Sequence, residues 1–77
     1  MKLKNIAANQ TVLELNDGNE VFFSYQTPVA AFVSGEGYVA TDKHYSTTTS
    51  RHIGNYAGVK YKDLTKKPQS FFDGLIK

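Results

Sequence analysis

The 77-residue sequence contains no cysteine and only two prolines. Without cysteine, neither a disulfide framework nor a thiolate zinc site can stabilise the fold. No segment approaches the ~20 consecutive apolar residues of a transmembrane helix, and residues 1–10 lack the apolar core of a signal peptide. We therefore expect one small domain over residues 1–77 that stays in the cytoplasm, away from membranes, and holds no metal or cofactor.

Aromatic residues are available to form a hydrophobic core. The chain has five Tyr and five Phe, and each can bury a large apolar area. A chain this short buries only about 60% of the surface that its unfolded form exposes. Tight turns, aromatic packing or self-association must therefore supply the remaining stability.

Charge is divided unevenly along the chain. The formal net charge is +2, which by itself indicates no partner. Residues 1–42 carry two lysines and five acidic residues, a net −3, whereas residues 43–77 carry seven basic and two acidic residues, a net +5. A binding surface for anions would therefore lie in the second half.

Segments of β-compatible sequence predict two hairpins. The strands are expected at residues 11–15, 20–25, 29–33 and 38–42. Asp17-Gly18 joins the first pair, and a two-residue turn of this kind needs φ > 0 at both positions. Pro28 is expected to break the hydrogen-bond ladder between the hairpins, since proline has no N–H. Residues 59–63 alternate and predict either a short fifth strand or an extended arm.

Two short helices are expected after the strands. Ser46 or Thr47 is a suitable N-cap for a helix over residues 48–56, and Gly58 is a suitable stop. In the tail, two i,i+4 apolar pairs predict a second amphipathic helix. The expected fold is α+β: a four-stranded, or five-stranded, antiparallel sheet of two hairpins with one or two short helices on one face.

The run of five hydroxyl residues from Ser46 to Ser50 allows two interpretations. Ser46, Thr48 and Ser50, with Lys43 and Arg51 nearby, could bind an anion at the start of the helix. Alternatively, one hydroxyl caps the helix while the others face solvent or bond to the local backbone. Capping requires the same residue types, so we favour it.

The two histidines give weak support for catalysis or metal binding. His44 and His52 are too few to form a zinc site. A histidine could act as a base on Ser50 with Asp42, which lies beside His44, as its orienting group, but serine is abundant here. A histidine that is hydrogen-bonded near the helix start is the favoured interpretation, and no catalytic residue is assigned.

Basic and aromatic residues alternate in the second half. Cations that contact phosphates and rings that stack on bases are typical of proteins that bind single-stranded nucleic acid. The alternative is that the tyrosines pack in the core while the lysines stay in solvent. The candidate nucleic-acid or anion-binding residues are Lys43, Tyr45, Ser46, Thr48, Ser50, Arg51, His52, Lys60, Tyr61 and Lys62.

The apolar tail also allows two roles. It can cover one face of the sheet, or it can dock on a second copy and form a homo-oligomer. Covering the sheet is slightly favoured. The candidate interaction residues are Phe71, Phe72, Leu75 and Ile76.

Two motifs resemble a family of small proteins of unknown function that occurs largely in tailed phages and prophage-like regions. They are Ser24-Tyr25-x-Thr27-Pro28-Val29-Ala30 and Tyr45-Ser46-x-Thr48-Thr49-Ser50-x-His52-Ile53. With Tyr38–Thr41 the resemblance spans about residues 10–57, and the tail at 58–77 lies outside it. It implies a phage protein that acts in the cytoplasm of an infected bacterium, and it implies no activity or catalytic residue.

Two functional hypotheses follow, both non-enzymatic. In the first, the second half binds single-stranded nucleic acid, and the affinity falls steeply with salt. In the second, the protein associates with itself or with a host protein through its tail or an open sheet edge, with weak dependence on salt.

Overall fold

The fold is a six-stranded sheet in which chain order and spatial order coincide. It is seen in a computed structural model that describes residues 2–15, 17–43 and 45–76. The strands are β1 (Lys2–Ala7), β2 (Gln10–Glu14), β3 (Glu20–Ser24), β4 (Thr27–Val33), β5 (Gly37–Thr41) and β6 (Thr65–Lys67). β1 to β5 form an antiparallel meander, and β6 pairs parallel to β5.

Helical structure provides the crossover that a parallel strand pair requires. Helix α1 (Thr47–Ala57) and a 3₁₀ turn (Tyr61–Asp63) connect β5 to β6. Helix α2 (Gln69–Leu75) follows β6. The α+β class, both helices and the four expected strands are confirmed, with boundaries displaced by one or two residues.

The strand count is higher than expected. β1 and β6 bring it to six, where four or five were predicted. Residues 59–63 form no strand; the last three of them are the 3₁₀ turn, and the short strand begins two residues later at Thr65.

The turn between β2 and β3 differs from a two-residue hairpin turn. Gly18 has φ 89° in this turn. The Leu15 N–H donates to the Asn19 carbonyl oxygen at 2.8 Å, which closes a longer loop. The Asp17 carboxylate accepts from the Asn19 N–H at 3.1 Å, so the aspartate acts through its side chain.

Pro28 lies inside β4, so the strand begins before residue 29, where the prediction places its start, and the irregularity expected at the proline lies within the strand. It pairs with Phe23, and the register shifts between Phe22 and Phe23. A bulge is one of the few positions in a sheet that tolerate proline, because the ladder is already interrupted there.

The two helices lie on opposite faces of the sheet, so the expectation of a single covered face is wrong. Ala30 packs in a cluster with Ile53 of α1, and its neighbour Ala31 packs with Phe72 of α2. Successive side chains of a strand point to opposite faces. Both faces of the central strands are therefore covered, one by each helix.

Candidate functional site

The start of α1 is capped by Ser46. Its Oγ accepts from the Thr49 N–H at 3.1 Å and donates to Thr49 Oγ1 at 3.2 Å, and its carbonyl oxygen accepts from the Ser50 N–H at 3.0 Å. At the other end Gly58, with φ 79°, donates its N–H to the Gly54 carbonyl. One hydroxyl of the run therefore caps the helix, as the favoured interpretation predicts.

A buried junction connects α1 to the end of β3. His52 Nδ1 and Ser24 Oγ are 3.0 Å apart, and Ser24 Oγ lies 3.4 Å from Thr49 Oγ1. Ser24 is 3% exposed, and Thr49 is also buried. The His52 ring nitrogen thus contacts Ser24, which is buried, and not Ser50.

This junction gives the two motifs a structural role. Ser24 belongs to the first motif, while Ser46, Thr49 and His52 belong to the second. Ile53 of the second motif and Val29 of the first are in the same hydrophobic core. The two motif segments therefore contact each other and together attach α1 to the sheet.

The three tyrosines of the second half occupy different environments. Tyr56 stacks on Phe22 with ring centroids 4.6 Å apart and donates to Glu20 Oε1 at 3.0 Å. Burial and then the Glu20 hydrogen bond hold its pKa far above the ordinary value. Tyr56 is therefore a core residue, whereas Tyr45 is exposed and Tyr61 is half-buried.

The other two phenols are tethered to the same corner of the sheet. Tyr61 donates to the Thr41 carbonyl oxygen at 2.6 Å, and Tyr45 donates to Gln69 Oε1 at 2.9 Å. Thr41 Oγ1 also donates to Gln69 Oε1, at 2.8 Å. Burial raises the pKa of both phenols, and Asp42 adds to the rise at Tyr61 as Asp73 does at Tyr45.

An open groove lies between α1 and the segment that follows it. It has a volume of about 600 Å³ and is here called the α1 groove. Its lining residues are Thr47, Ser50, Arg51, Gly54, Asn55, Gly58, Val59, Lys60 and Tyr61. Ser50, Arg51, Lys60 and Tyr61 are candidates from the sequence, and the fold brings these four together.

The α1 groove carries uncompensated positive charge. Within the described ranges, the two ion pairs closer than 4.0 Å are Lys4–Glu14 and Lys67–Glu36, so Arg51 and Lys60 have no carboxylate partner there. The ring of Tyr61 has the ammonium of Lys66 at 4.4 Å from its centroid. The groove therefore combines two free cations with a ring held in a fixed position.

The remaining candidates lie outside the lining of this groove. The Lys43 ammonium stands 5.2 Å from the centroid of the Tyr45 ring, and both residues are exposed. Thr48 and Lys62 are exposed as well. His44 lies outside the described residues.

The apolar tail largely covers the sheet. Phe72 is fully buried against Ala31 and Val39, and Phe71 and Leu75 pack around the same cluster. Ile76 is 38% exposed and is the most accessible of the four tail candidates. This arrangement matches the covering role and leaves little of the tail for a partner.

Gln69 is a structural residue that the sequence did not reveal. Its Nε2 donates to the Pro28 carbonyl at 2.7 Å, while its Oε1 accepts from Thr41 and Tyr45. It therefore joins β4, β5 and α2 at one point. No sequence pattern signals this role, because its partners are 24–41 residues away.

No cluster of three or more His, Asp or Glu residues is placed to hold a metal ion in the part of the chain that the structure describes. No helix among these residues is both long and apolar enough to cross a membrane.

Comparison with known proteins identifies a family. The chain belongs to a family of unknown function, DUF8033, whose model matches residues 1–74. The match includes most of the tail, which the two-motif resemblance leaves out. No curated protein and no solved structure shows significant similarity to the chain.

Proposed function

We propose that the protein is a non-enzymatic, phage-encoded binding protein that holds a short segment of single-stranded nucleic acid in the α1 groove. The observation that supports this best is the convergence of Arg51, Lys60 and the Tyr61 ring on one open groove. Cations and an aromatic ring are the two elements that single-stranded nucleic acid requires from a binding surface.

Each part of the α1 groove has a role in this proposal. Arg51 and Lys60 contact phosphates, and Tyr61 offers its ring to a base. Thr47, Ser50 and Asn55 supply hydrogen bonds from the wall of α1. Gly54 also lies in the lining, and a Cβ there would be in ordinary van der Waals contact with the Val59 carbonyl oxygen at 3.4 Å, so α1 and the segment that follows it are close at this point.

The lining favours binding without strong sequence selectivity. Stacking accepts any base, and phosphate contacts carry no sequence information directly. The two cations predict a small number of phosphate contacts. The affinity should therefore be modest and should fall with increasing salt.

The non-enzymatic part of the proposal is supported by the Ser24–His52 junction. A serine nucleophile must reach its substrate, and Ser24 is 3% exposed beneath α1. The phage origin, and with it a site of action in the host cytoplasm, rests on the resemblance of the two motifs to tailed-phage proteins.

The test is a fluorescence-anisotropy titration of labelled oligo(dT) and oligo(U) at two salt concentrations. We expect micromolar binding that weakens at the higher salt, with a log–log slope of about −0.7 for each phosphate neutralised. Arg51→Ala combined with Lys60→Ala should lower the affinity at least tenfold, or about 1.4 kcal/mol.

A matched control removes the same charge elsewhere. Lys2→Ala combined with Lys4→Ala takes two cations from β1, at the other end of the sheet order. This variant should retain most of the affinity. Equal losses in the two double variants, or no binding by the wild type at low salt, would contradict the α1 groove as the binding site.

A second candidate function is self-association through β1. All six residues of β1 are exposed, Leu3 at 67% and Ile6 at 48%, and the strand has a single neighbour in the sheet. An open edge can pair with the edge of another chain, although lysines such as Lys2 and Lys4 oppose this. Light scattering would give a dimer mass that Leu3→Lys reduces to the monomer mass; a monomer at all concentrations would exclude it.

A further inference from the structure

A second groove lies where two turns of the sheet meet. The Tyr25 N–H, in the turn between β3 and β4, donates to the carbonyl oxygen of Asn9, in the turn between β1 and β2, at 2.7 Å. Beside this contact is a groove of about 550 Å³, here called the turn groove. It is lined by Asn5, Asn9, Thr11, Tyr25, Gln26 and Thr27.

The lining of the turn groove is polar but uncharged. It offers three carboxamides, two aliphatic hydroxyls and one phenol. In the part of the chain that the structure describes, no acidic or basic side chain lines this groove. Carboxamides and hydroxyls both donate and accept hydrogen bonds. An ion would find no opposite charge here, and a wholly apolar ligand would leave the amides without partners.

Tyr25 adds an accessible aromatic surface. Its side chain is 55% exposed, and its ring centroid is 6.0 Å from that of His52. An aromatic ring beside amides suits a ligand that has an apolar C–H face and hydroxyls around its rim. A pyranose ring has this chemistry.

The backbone at Tyr25 supports a role for this ring. Ser24 pairs with Thr27, so Tyr25 and Gln26 form a two-residue turn. Tyr25 has φ 60°, and the first position of such a turn favours glycine when its φ is positive. Side chains that remain in unfavourable backbone regions occur most often at functional sites.

We propose that the turn groove binds an uncharged saccharide, with the ring of Tyr25 against a pyranose face and Asn5, Asn9 and Gln26 on its hydroxyls. This site is separate from the α1 groove, because the two linings share no residue. The proposal is therefore independent of nucleic-acid binding.

The test is an NMR titration of the isotope-labelled full chain with maltotriose and, separately, with triacetylchitotriose. For at least one saccharide we expect saturable shifts of the backbone and side-chain amides that line the turn groove, with a Kd of about 1 mM. The resonances of the α1 groove should not move. No saturable shift with either saccharide, or shifts centred on the α1 groove, would overturn the proposal.

Two variants at position 25 separate binding from folding. Tyr25→Gly removes the ring and suits the positive φ, so the chain should fold, as its spectrum will show, yet bind at least tenfold more weakly. Tyr25→Phe keeps the ring and should bind within about threefold of the wild type. Unchanged affinity in Tyr25→Gly would overturn the assignment, as would selective binding of free uridine or adenosine in the same groove.

Discussion

The first strand and the two central strands belong to the same sheet but have opposite environments. All six residues of β1 are exposed, whereas four of seven in β4 and three of five in β3 are buried. β3 and β4 lie between α1 on one face and α2 on the other. β1 is held by its pairing with β2 and by the exposed ion pair between Lys4 and Glu14.

This difference indicates where the stability of the fold resides. Burial of apolar surface is the main favourable contribution to folding, and exposed ion pairs add little. The centre of the sheet should therefore control global unfolding. The side chains of β1 should contribute little to the stability of the rest of the fold. Three substitutions, at Phe22, Ser24 and Ser46, are considered in order of decreasing expected effect on stability, each with a control.

The largest effect is expected at Phe22, which is fully buried and stacked against Tyr56. Phe22→Ala should lower the free energy of unfolding by about 3–5 kcal/mol, through lost burial and the cavity that remains. A domain of this size has little more than about 5 kcal/mol in total. Urea denaturation followed by circular dichroism should show a largely unfolded variant.

Leu3→Ala on β1 is the control for Phe22→Ala. Leu3 is 67% exposed, so the expected change is within about 0.5 kcal/mol. Phe22→Leu, expected to cost about 1–1.5 kcal/mol, gives a folded variant for comparison if Phe22→Ala does not fold. A loss at Leu3 as large as that at Phe22→Leu would refute the contrast between the two regions.

An intermediate effect is expected at the junction of Ser24 with His52 and Thr49. Ser24→Ala should lower the free energy of unfolding by about 1–3 kcal/mol, because His52 Nδ1 loses its partner and Thr49 Oγ1 loses one of its two. The His52 ring resonances should also shift. Ser70→Ala, at an exposed position of α2, should change the free energy of unfolding by less than about 0.5 kcal/mol. Equal effects at the two serines would contradict a contribution of the Ser24 junction to stability.

Local patterns were sufficient to predict much of the fold. β-compatible runs between turn signals located β2 to β5, and the cap and glycine signals located both ends of α1. β1 has no such signal, since Leu3 and Ile6 do not share one face of a regular strand. β6 has three residues and pairs with a strand 26 positions earlier, so its formation depends on tertiary structure.

The candidate sites could be predicted only in part, for the same reason. The basic and aromatic composition identified Arg51, Lys60 and Tyr61, but their convergence depends on the chain reversing after Gly58 to run beside α1. The contact between Ser24 and His52 joins residues 28 positions apart. The turn groove escaped prediction because its residues come from two turns and three strands, and none of them is charged.

The smallest effect concerns the helix start, where the sequence offered five successive hydroxyls and the structure uses one as the cap. Ser46→Ala should lower the free energy of unfolding by about 1 kcal/mol, because the Thr49 N–H loses its acceptor. Thr48→Ala, at an exposed neighbour, should stay within about 0.5 kcal/mol. Urea titrations of the two variants measure the difference. If Thr48→Ala were the more costly of the two, α1 would begin at a different residue. The contacts between the two motifs at the start of α1 would then differ from those described.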